Sequence, residues 1–184
     1  AWATGAALFI RREIYLEVGG LDARFFAHQE EIDLCWRLRS RGYNIVCIPE
    51  SIVYHVGGGT LPKESPRKAY LNFRNNLLLL YKNLPEKKFR TVMFWRRLLD
   101  MAAALHFLAG GHWAACHAVI QAHIDFRRIH KDFQTDRDSN LAATIVPPEQ
   151  ILSPINLLWQ YYAKRRHTFN QLPLKENNTH THHN

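Results

Sequence analysis

The chain has 184 residues, enough for one domain or for one domain and part of a second. Hydrophobic residues make up 47% of it, so a packed core is expected without disulfide bonds. Its three cysteines have no paired spacing that would indicate a disulfide framework or a zinc site. A net charge of +8 favours acidic partners, which are nucleotide phosphates, anionic lipid head groups or nucleic acid.

The N-terminal part predicts strands and helices in alternation. Residues 5–12 form a short apolar run typical of a buried strand, and 12–20 form a short helix that ends in a glycine pair. A second helix is expected over 30–41, where Gly42 supplies the stop. Two further strand-like runs lie at 43–49 and 51–56.

The C-terminal part predicts helices alone. Ser65 and Pro66 are typical of a helix start, and this helix is expected to run through Asn83. Two helices with basic ends are expected between Lys87 and Lys131, divided by a glycine pair. A polar linker and a last helix over 155–166 complete the prediction.

The stretch from Met101 to Ile124 contains no Asp, Glu, Lys or Arg. Its histidines and its glycine pair interrupt the ~20 mainly apolar residues that a membrane-spanning helix needs. The pattern favours amphipathic helices that lie on a surface.

The domain organisation expected from these patterns has three parts: an α/β part over 1–84, a basic amphipathic helical extension over 85–170, and a disordered tail over 171–184. The chain begins with Ala1, and its first residues already read as a strand within a domain. It is therefore expected to be part of a longer protein.

Three carboxylates cluster at the start of the second predicted helix. Glu30, Asp33 and Arg37 share one face, and Asp33 can pair with Arg37 four residues later. Glu31 falls on the apolar stripe, where partial desolvation would raise its pKa and suit a general base. The alternative is ordinary capping, because acidic residues favour helix N-termini.

His55 ends the last strand-like run and is followed by three glycines, 57–59. A histidine at a strand end beside a loop without side chains is open to a ligand, and neutral imidazole is a common metal ligand. A structural role is the alternative. The glycines match no phosphate-binding motif.

Taken in order, the motifs over residues 2–83 resemble the C-terminal half of the catalytic domain of family 2 glycosyltransferases, in the rhamnosyltransferase-like branch. The motifs are W-x-T-G-A, RR, GG-L-D, F-F, E-E-x-D-L-C-W-R, G-Y, P-E, V-Y-H-x-G-G-G-T, R-N and K-N. Their residues include Trp2, Gly5, Ala6, Arg11, Arg12, Gly19, Gly20, Asp22, Phe25, Phe26, Glu30, Glu31, Asp33, Leu34, Cys35, Trp36, Arg37, Gly42, Tyr43, Pro49, Glu50, Tyr54, His55, Arg74 and Asn75.

The resemblance implies an α/β fold, the C-terminal portion of the Rossmann-like GT-A fold, followed by an α-helical extension. It also implies that a sugar is transferred, with inversion of configuration, from a nucleotide-diphosphate sugar to a saccharide acceptor. This acceptor would be lipid-linked, and the reaction would belong to bacterial cell-envelope polysaccharide synthesis. Glu31 stands where the family has its catalytic base, with Glu30 as the alternative. His55 matches a ligand of the divalent metal, Mg²⁺ or Mn²⁺, that offsets the charge of the leaving diphosphate.

The same resemblance implies a substrate cleft. Gly5 and Ala6 would line it with Trp2 beside them, and Asp33 and Arg74 would also contact substrate. For Trp2 and Gly5, packing in a sheet is the alternative. Without the nucleotide-binding half of the domain, the isolated chain is expected to be inactive.

A second function remains open, a non-catalytic module for a membrane surface or a protein partner. The basic helices favour an anionic membrane, with the protein cytoplasmic and peripheral on the inner face of a bacterial inner membrane. A homodimer interface is the alternative use of their apolar face. Nucleic acid is not expected, because the basic residues form no single stripe with interleaved aromatic residues and no binding motif occurs.

Overall fold

The computed structural model describes residues 2–55, 65–153, 155–157 and 159–173. By compactness the chain divides into two units, Ala1–Pro148 and Glu149–Asn184. The helices of the first unit are α1 (Arg12–Glu17), α2 (Glu30–Ser40), α3 (Pro66–Asn83), α4 (Glu86–Ala109), α5 (Trp113–Ile129) and α6 (Gln134–Ala142), with 3-10 turns at Ala23–Phe25 and His130–Phe133.

The second unit has little regular structure among its described residues. The short helix α7 (Pro148–Ile151) begins at the boundary between the units. A π-helical turn follows at Trp159–Ala163, within the range predicted as the last helix, and a 3-10 turn lies at Phe169–Gln171. The predicted disordered tail lies, from residue 174 onward, outside the described residues.

The α/β prediction with a Rossmann-like GT-A sheet is wrong for this structure. Within the described residues all regular structure is helical, and the described parts of the runs expected as strands are irregular or turn and belong to no sheet. A strand needs a neighbouring strand for its backbone hydrogen bonds, and an alternation of apolar and polar residues does not show that such a neighbour exists. The alternating apolar residues pack instead on a helical cluster of Val18, Leu34 and Leu38; they are Leu8, Ile10, Tyr43 and Ile45.

Helix α3 is the centre of the first unit. It packs against α2, α4, α5 and α6, and residues on several sides of it are buried, including Leu71, Leu77 and Leu79. Helix α5 lies against both α3 and α4. The ends of α3 and α4 could be predicted from the sequence. Pro85 lies between α3 and α4, and the pair Gly110–Gly111 forms the turn between α4 and α5.

Helix α6 replaces the polar linker expected over 132–140. It has no apolar stripe and is anchored by polar side chains instead. Arg137 is buried and donates to the carbonyl of Tyr81 and, over 3.1 Å, to the carboxylate of Glu86. A helix held in this way has no hydrophobic periodicity for a sequence reading to detect.

Helices α4 and α5 form an antiparallel hairpin with the bounds that the sequence predicted, to within a few residues. They are joined internally by Asp100, which is 3% exposed and accepts hydrogen bonds from Arg96 and His123. None of the helices described here has the combination of length and apolar character needed to cross a membrane.

Candidate functional site

The loop before α2 has an unusual backbone. Phe26, His28 and Gln29 all have positive φ angles, 65°, 68° and 75°, in a region that side-chain-bearing residues rarely adopt. Such conformations persist only where surrounding contacts impose them, and they concentrate at ligand sites. The loop therefore needs an external anchor, and α3 provides it.

That anchor is Asn75, which is fully buried in α3. Its side-chain amide donates to the carbonyl oxygens of Phe25, Ala27 and His28, each over 2.8 Å. Arg74 adds hydrogen bonds of 3.2 Å to the carbonyls of Arg24 and Phe25. These bonds fix the direction in which the chain enters α2.

The first turn of α2 then presents buried polar atoms without partners. His28 Nε2, Glu30 Oε2 and Glu31 Oε2 are each shielded from solvent and make no hydrogen bond within the described part of the chain. Leaving such an atom unpaired costs about 1–3 kcal/mol, so native proteins keep few of them. Three such atoms within four residues indicate a site that is completed by a ligand.

The electrostatics of this acidic cluster favour a proton acceptor. Burial raises the pKa of Glu30, and the adjacent Glu31 carboxylate raises it further, while His28 opposes the shift. A carboxylate with a raised pKa binds a proton more readily near neutral pH.

The N-terminal segment passes along the same side of α2. The backbone N–H of Ala3 donates to the thiol of Cys35 over 3.3 Å. Cys35 lies one turn after Glu31; its pKa is raised by burial and by the Glu31 charge, against the hydrogen bond from Ala3. The segment that begins with Trp2 is thus brought beside the carboxylate expected to act as base.

The other predicted cleft residues lie in this segment without close partners. Trp2 is 62% exposed, and no atom lies within 4 Å of the position that a side chain at Gly5 would occupy. Ala6 is half-buried, and its N–H donates to the hydroxyl of Thr4. There is open space here for a bound molecule.

Asp33 lies on the inner face of α2, and protein groups surround it. Its side chain is fully buried and accepts hydrogen bonds from Arg37, Lys82 and Asn83 over 2.8–3.0 Å. The expected pairing with Arg37 is confirmed. Asp33, like Arg74, thus has a structural role here, whereas its predicted contact with substrate has no support from these distances.

His55 is exposed at the end of its extended run, and the glycines 57–59 lie outside the described residues. Across the described ranges, no three His, Cys, Asp or Glu side chains converge to hold a metal ion. His28, Glu30 and Glu31 have donor atoms of the right kind but do not form such a set. The described residues therefore do not fit a complete site for Mg²⁺ or Mn²⁺.

A separate cavity of about 490 Å³ opens beside the 19–24 loop and is lined by Arg24, Arg37, Arg41 and Lys82. These cations are already engaged. Arg24 and Lys82 bind Asp22, Arg37 binds Asp33, and Arg41 donates to the carbonyl of Glu17. The cavity is therefore a weaker candidate than the acidic cluster.

The sequence reading missed the roles of Asn75 and Lys82. Both lie on one stripe of α3 with the buried residues Leu71 and Leu78, at spacings of four, three and four. A polar residue on an apolar stripe was the available signal. Its partners, about fifty residues earlier, could not be inferred from local pattern.

Comparison with known proteins gives partial similarity. No family model matches the chain, and no solved structure matches it. It is 39% identical over 54 residues to N-acetylglucosaminyl-diphospho-decaprenol L-rhamnosyltransferase of Mycobacterium tuberculosis, covering 29% of this chain and 18% of that protein. It is 31% identical over 77 residues to the low-salt glycan biosynthesis hexosyltransferase Agl10 of Haloferax volcanii, covering 41% of this chain and 25% of that one.

The matched segments thus span a quarter or less of these relatives. Both relatives are glycosyltransferases by name, and they come from a bacterium and an archaeon. A role in glycosyl transfer is what the two matches jointly suggest for this chain.

Proposed function

We propose that the chain forms the acceptor side of an inverting glycosyltransferase, which moves a sugar from a nucleotide-diphosphate donor to a saccharide. The observation that carries the proposal is the half-buried pair Glu30 and Glu31 at the start of α2, since one carboxylate oxygen of each is shielded from solvent and has no hydrogen-bond partner among the described residues. The partial similarity to two glycosyltransferases supports the reaction class.

The chemistry needs a proton acceptor at this position. An acceptor hydroxyl attacks the anomeric carbon, the new C–O bond forms as the bond to the diphosphate breaks, and the hydroxyl proton passes to a carboxylate. We assign that carboxylate to Glu31, which neighbours the N-terminal segment, and keep Glu30 as the alternative. The Glu30 pKa, raised by burial and by the Glu31 charge, suits that carboxylate to accept a proton near neutral pH.

The substrate assignments extend this proposal. Trp2, Gly5 and Ala6 would line the acceptor side of the cleft beside Glu31. The name of the mycobacterial relative contains a sugar diphosphate of a long-chain lipid, which supports a lipid-linked saccharide as acceptor. A divalent ion, with His55 as a ligand, remains part of the proposal, but no step above is assigned to it.

The test is substitution of each carboxylate in the protein expressed from its complete gene. Glu31→Gln should lower the turnover number by ~10²–10⁴-fold, the usual contribution of a general base, and leave donor binding near its original value. Glu13→Gln is the matched control, because Glu13 lies in the first turn of α1 and is exposed. Turnover is measured with a panel of nucleotide-diphosphate sugars, and donor binding by calorimetry.

The outcomes separate the two carboxylates. If Glu30→Gln abolishes turnover while Glu31→Gln keeps it, the base is Glu30. If neither variant differs from Glu13→Gln in an active protein, the acidic cluster has no role in the transfer step. The proposed function would then have lost its main support.

A further inference from the structure

The hairpin of α4 and α5 leaves a long apolar surface uncovered. On α4, Phe94, Leu98, Met101 and Leu105 repeat at helical spacing and are 50–58% exposed. On α5, Trp113 is 71% exposed, and two isoleucines continue the same face; they are Ile120 and Ile124. Exposed apolar surface of this extent on adjacent helices marks an interaction site.

The polarity of this surface changes along the hairpin. The half next to the Gly110–Gly111 turn has no charged residue, whereas the other half carries Arg97 within the α4 stripe and Arg127 and Lys131 after the α5 stripe. The carboxylates of that half, Asp100 and Asp125, are paired with neighbouring basic side chains. Because the two helices are antiparallel, these cations lie at one end of the surface. An amphipathic hairpin with an apolar tip and a positively charged opposite end matches a bilayer leaflet, in which the acyl chains lie beneath the charged head groups.

A groove between the helices joins the two halves. It has a volume of about 240 Å³, an apolar floor that includes Met101, Ala104 and Val119, and two arginines in its lining, Arg97 and Arg127. Neither of these guanidinium groups forms an ion pair with a described residue. The apolar floor suits an acyl chain, and guanidinium groups such as these are suited to bind a phosphate. The lining also contains Asp100 and His123, which are paired with each other.

We propose that the α4–α5 hairpin docks on an anionic bilayer, with the turn end inserted among the acyl chains and Arg97 and Arg127 binding lipid phosphates. A second copy of the chain is a poorer occupant. A two-fold dimer with its axis along the hairpin would bring like charges from Arg97, Arg127 and Lys131 together, and one with its axis across the hairpin would set these cations against the uncharged turn end of the other copy. This inference is independent of the acidic cluster, so either proposal can fail without the other.

The test is co-sedimentation of the protein with vesicles of phosphatidylcholine alone or with 30% phosphatidylserine, at about 0.1 M and about 0.5 M salt. Binding is expected to the anionic vesicles at low salt and to fall at high salt. Reversing both arginines, Arg97→Glu with Arg127→Glu, should lower the partition coefficient at least about 25-fold, since each basic residue contributes about fivefold near an anionic surface.

The matched controls make the same changes of charge and hydrophobicity at other positions on the protein. Arg11→Glu with Arg12→Glu makes the same charge change on exposed residues at the start of α1. Leu16→Glu and Leu105→Glu alter leucines that are both 58% exposed, on α1 and on the hairpin. Only the hairpin variants should lose vesicle binding, while all variants keep the circular dichroism spectrum of the parent.

Three results would overturn the proposal. Binding could be equal for neutral and anionic vesicles at both salt concentrations. The α1 variants could lose as much binding as the hairpin variants. Alternatively, the protein could ignore vesicles and sediment as a dimer that Leu105→Glu dissociates, which would identify a second copy as the occupant.

Discussion

Glu30 illustrates a conflict between stability and reactivity at the level of a single residue. Its carboxyl is partly desolvated beside Glu31, and its Oε2 atom has no hydrogen-bond partner in the described structure. A folded protein gains nothing from such an arrangement unless a ligand or a proton completes it. The same features that suit the pair to accept a proton should therefore weaken the fold at neutral pH.

The first prediction follows from the sign of this shift. Because the folded pKa of Glu30 is raised above its ordinary value of 4.5, the folded state holds the proton more tightly than the unfolded state does. Stability is thus lost as pH rises from about 4.5 through the folded pKa. Glu30→Gln should raise Tm at pH 7 by a few degrees, where 1 kcal/mol corresponds to about 2–4 °C, and change it little at pH 4.

The measurement is thermal unfolding of both proteins between pH 4 and pH 8. Glu13→Gln again corrects for the loss of one negative charge, because its side chain is exposed in the first turn of α1. A Glu30→Gln variant that is less stable than the parent at pH 7 would contradict the assigned pKa direction.

At the level of elements, sequence and structure agree where the signals are local. The bounds of α2, α3, α4 and α5 follow from turns, Pro66 and amphipathic periodicity, all of which lie within the elements or beside them. The strand predictions were wrong because strand pairing depends on residues that are distant in the sequence, and α6 was missed because polar contacts hold it.

The candidate site could likewise be predicted only where its signals are local. The helical wheel placed Glu31 on the inner side of α2, but His28 and the anchored loop depend on a residue in another helix.

That residue is Asn75 of α3. Asn75 donates to three backbone carbonyls that hold the left-handed loop before α2. Asn75→Asp keeps the shape and the oxygen that accepts from Arg74, but it replaces the donor with a carboxylate oxygen that repels these carbonyls. It should therefore cost at least ~1–3 kcal/mol in the free energy of unfolding at pH 7, and less near pH 4, where the protonated acid can donate again.

The matched control is Asn76→Asp, because Asn76 is the next residue of α3 and is half-buried. Urea unfolding at both pH values gives the free energies, and amide exchange locates the change. Faster exchange should appear first in residues 26–31. Equal losses for the two variants would remove Asn75 from its role as the anchor of the loop.

For the first unit as a whole, one buried ion network joins the parts. Lys82 of α3 is 1% exposed and lies 2.8 Å from Asp22 in the loop and 2.9 Å from Asp33 in α2. Asp22 also binds Arg24, which reaches Asp136 of α6 over 2.9 Å. Burial alone would raise the pKa of Asp22, but hydrogen bonds from Arg24 and Lys82 outweigh it and hold the pKa well below its usual range. The Lys82 ammonium group thus couples α3 to α2 and to the 19–24 loop, and Arg24 extends this network to α6.

The last prediction concerns that group. Lys82→Met keeps an unbranched apolar stem one atom shorter than that of lysine but leaves two carboxylates, Asp22 and Asp33, without one of their cations. Breaking a buried pair in this way should cost ~3–5 kcal/mol in the free energy of unfolding at pH 7. The folded pKa of Asp22 lies below its ordinary value of 3.8. The contribution of Asp22 to stability is therefore complete above pH 3.8 and is lost as the pH falls below it, so the difference between parent and variant should shrink toward pH 2.

Urea unfolding from pH 2 to pH 7 measures this difference, and Lys68→Met, on the first turn of the same helix, is the control. A Lys82→Met variant no less stable than Lys68→Met would show that the network is dispensable and that apolar packing on α3 holds the unit together.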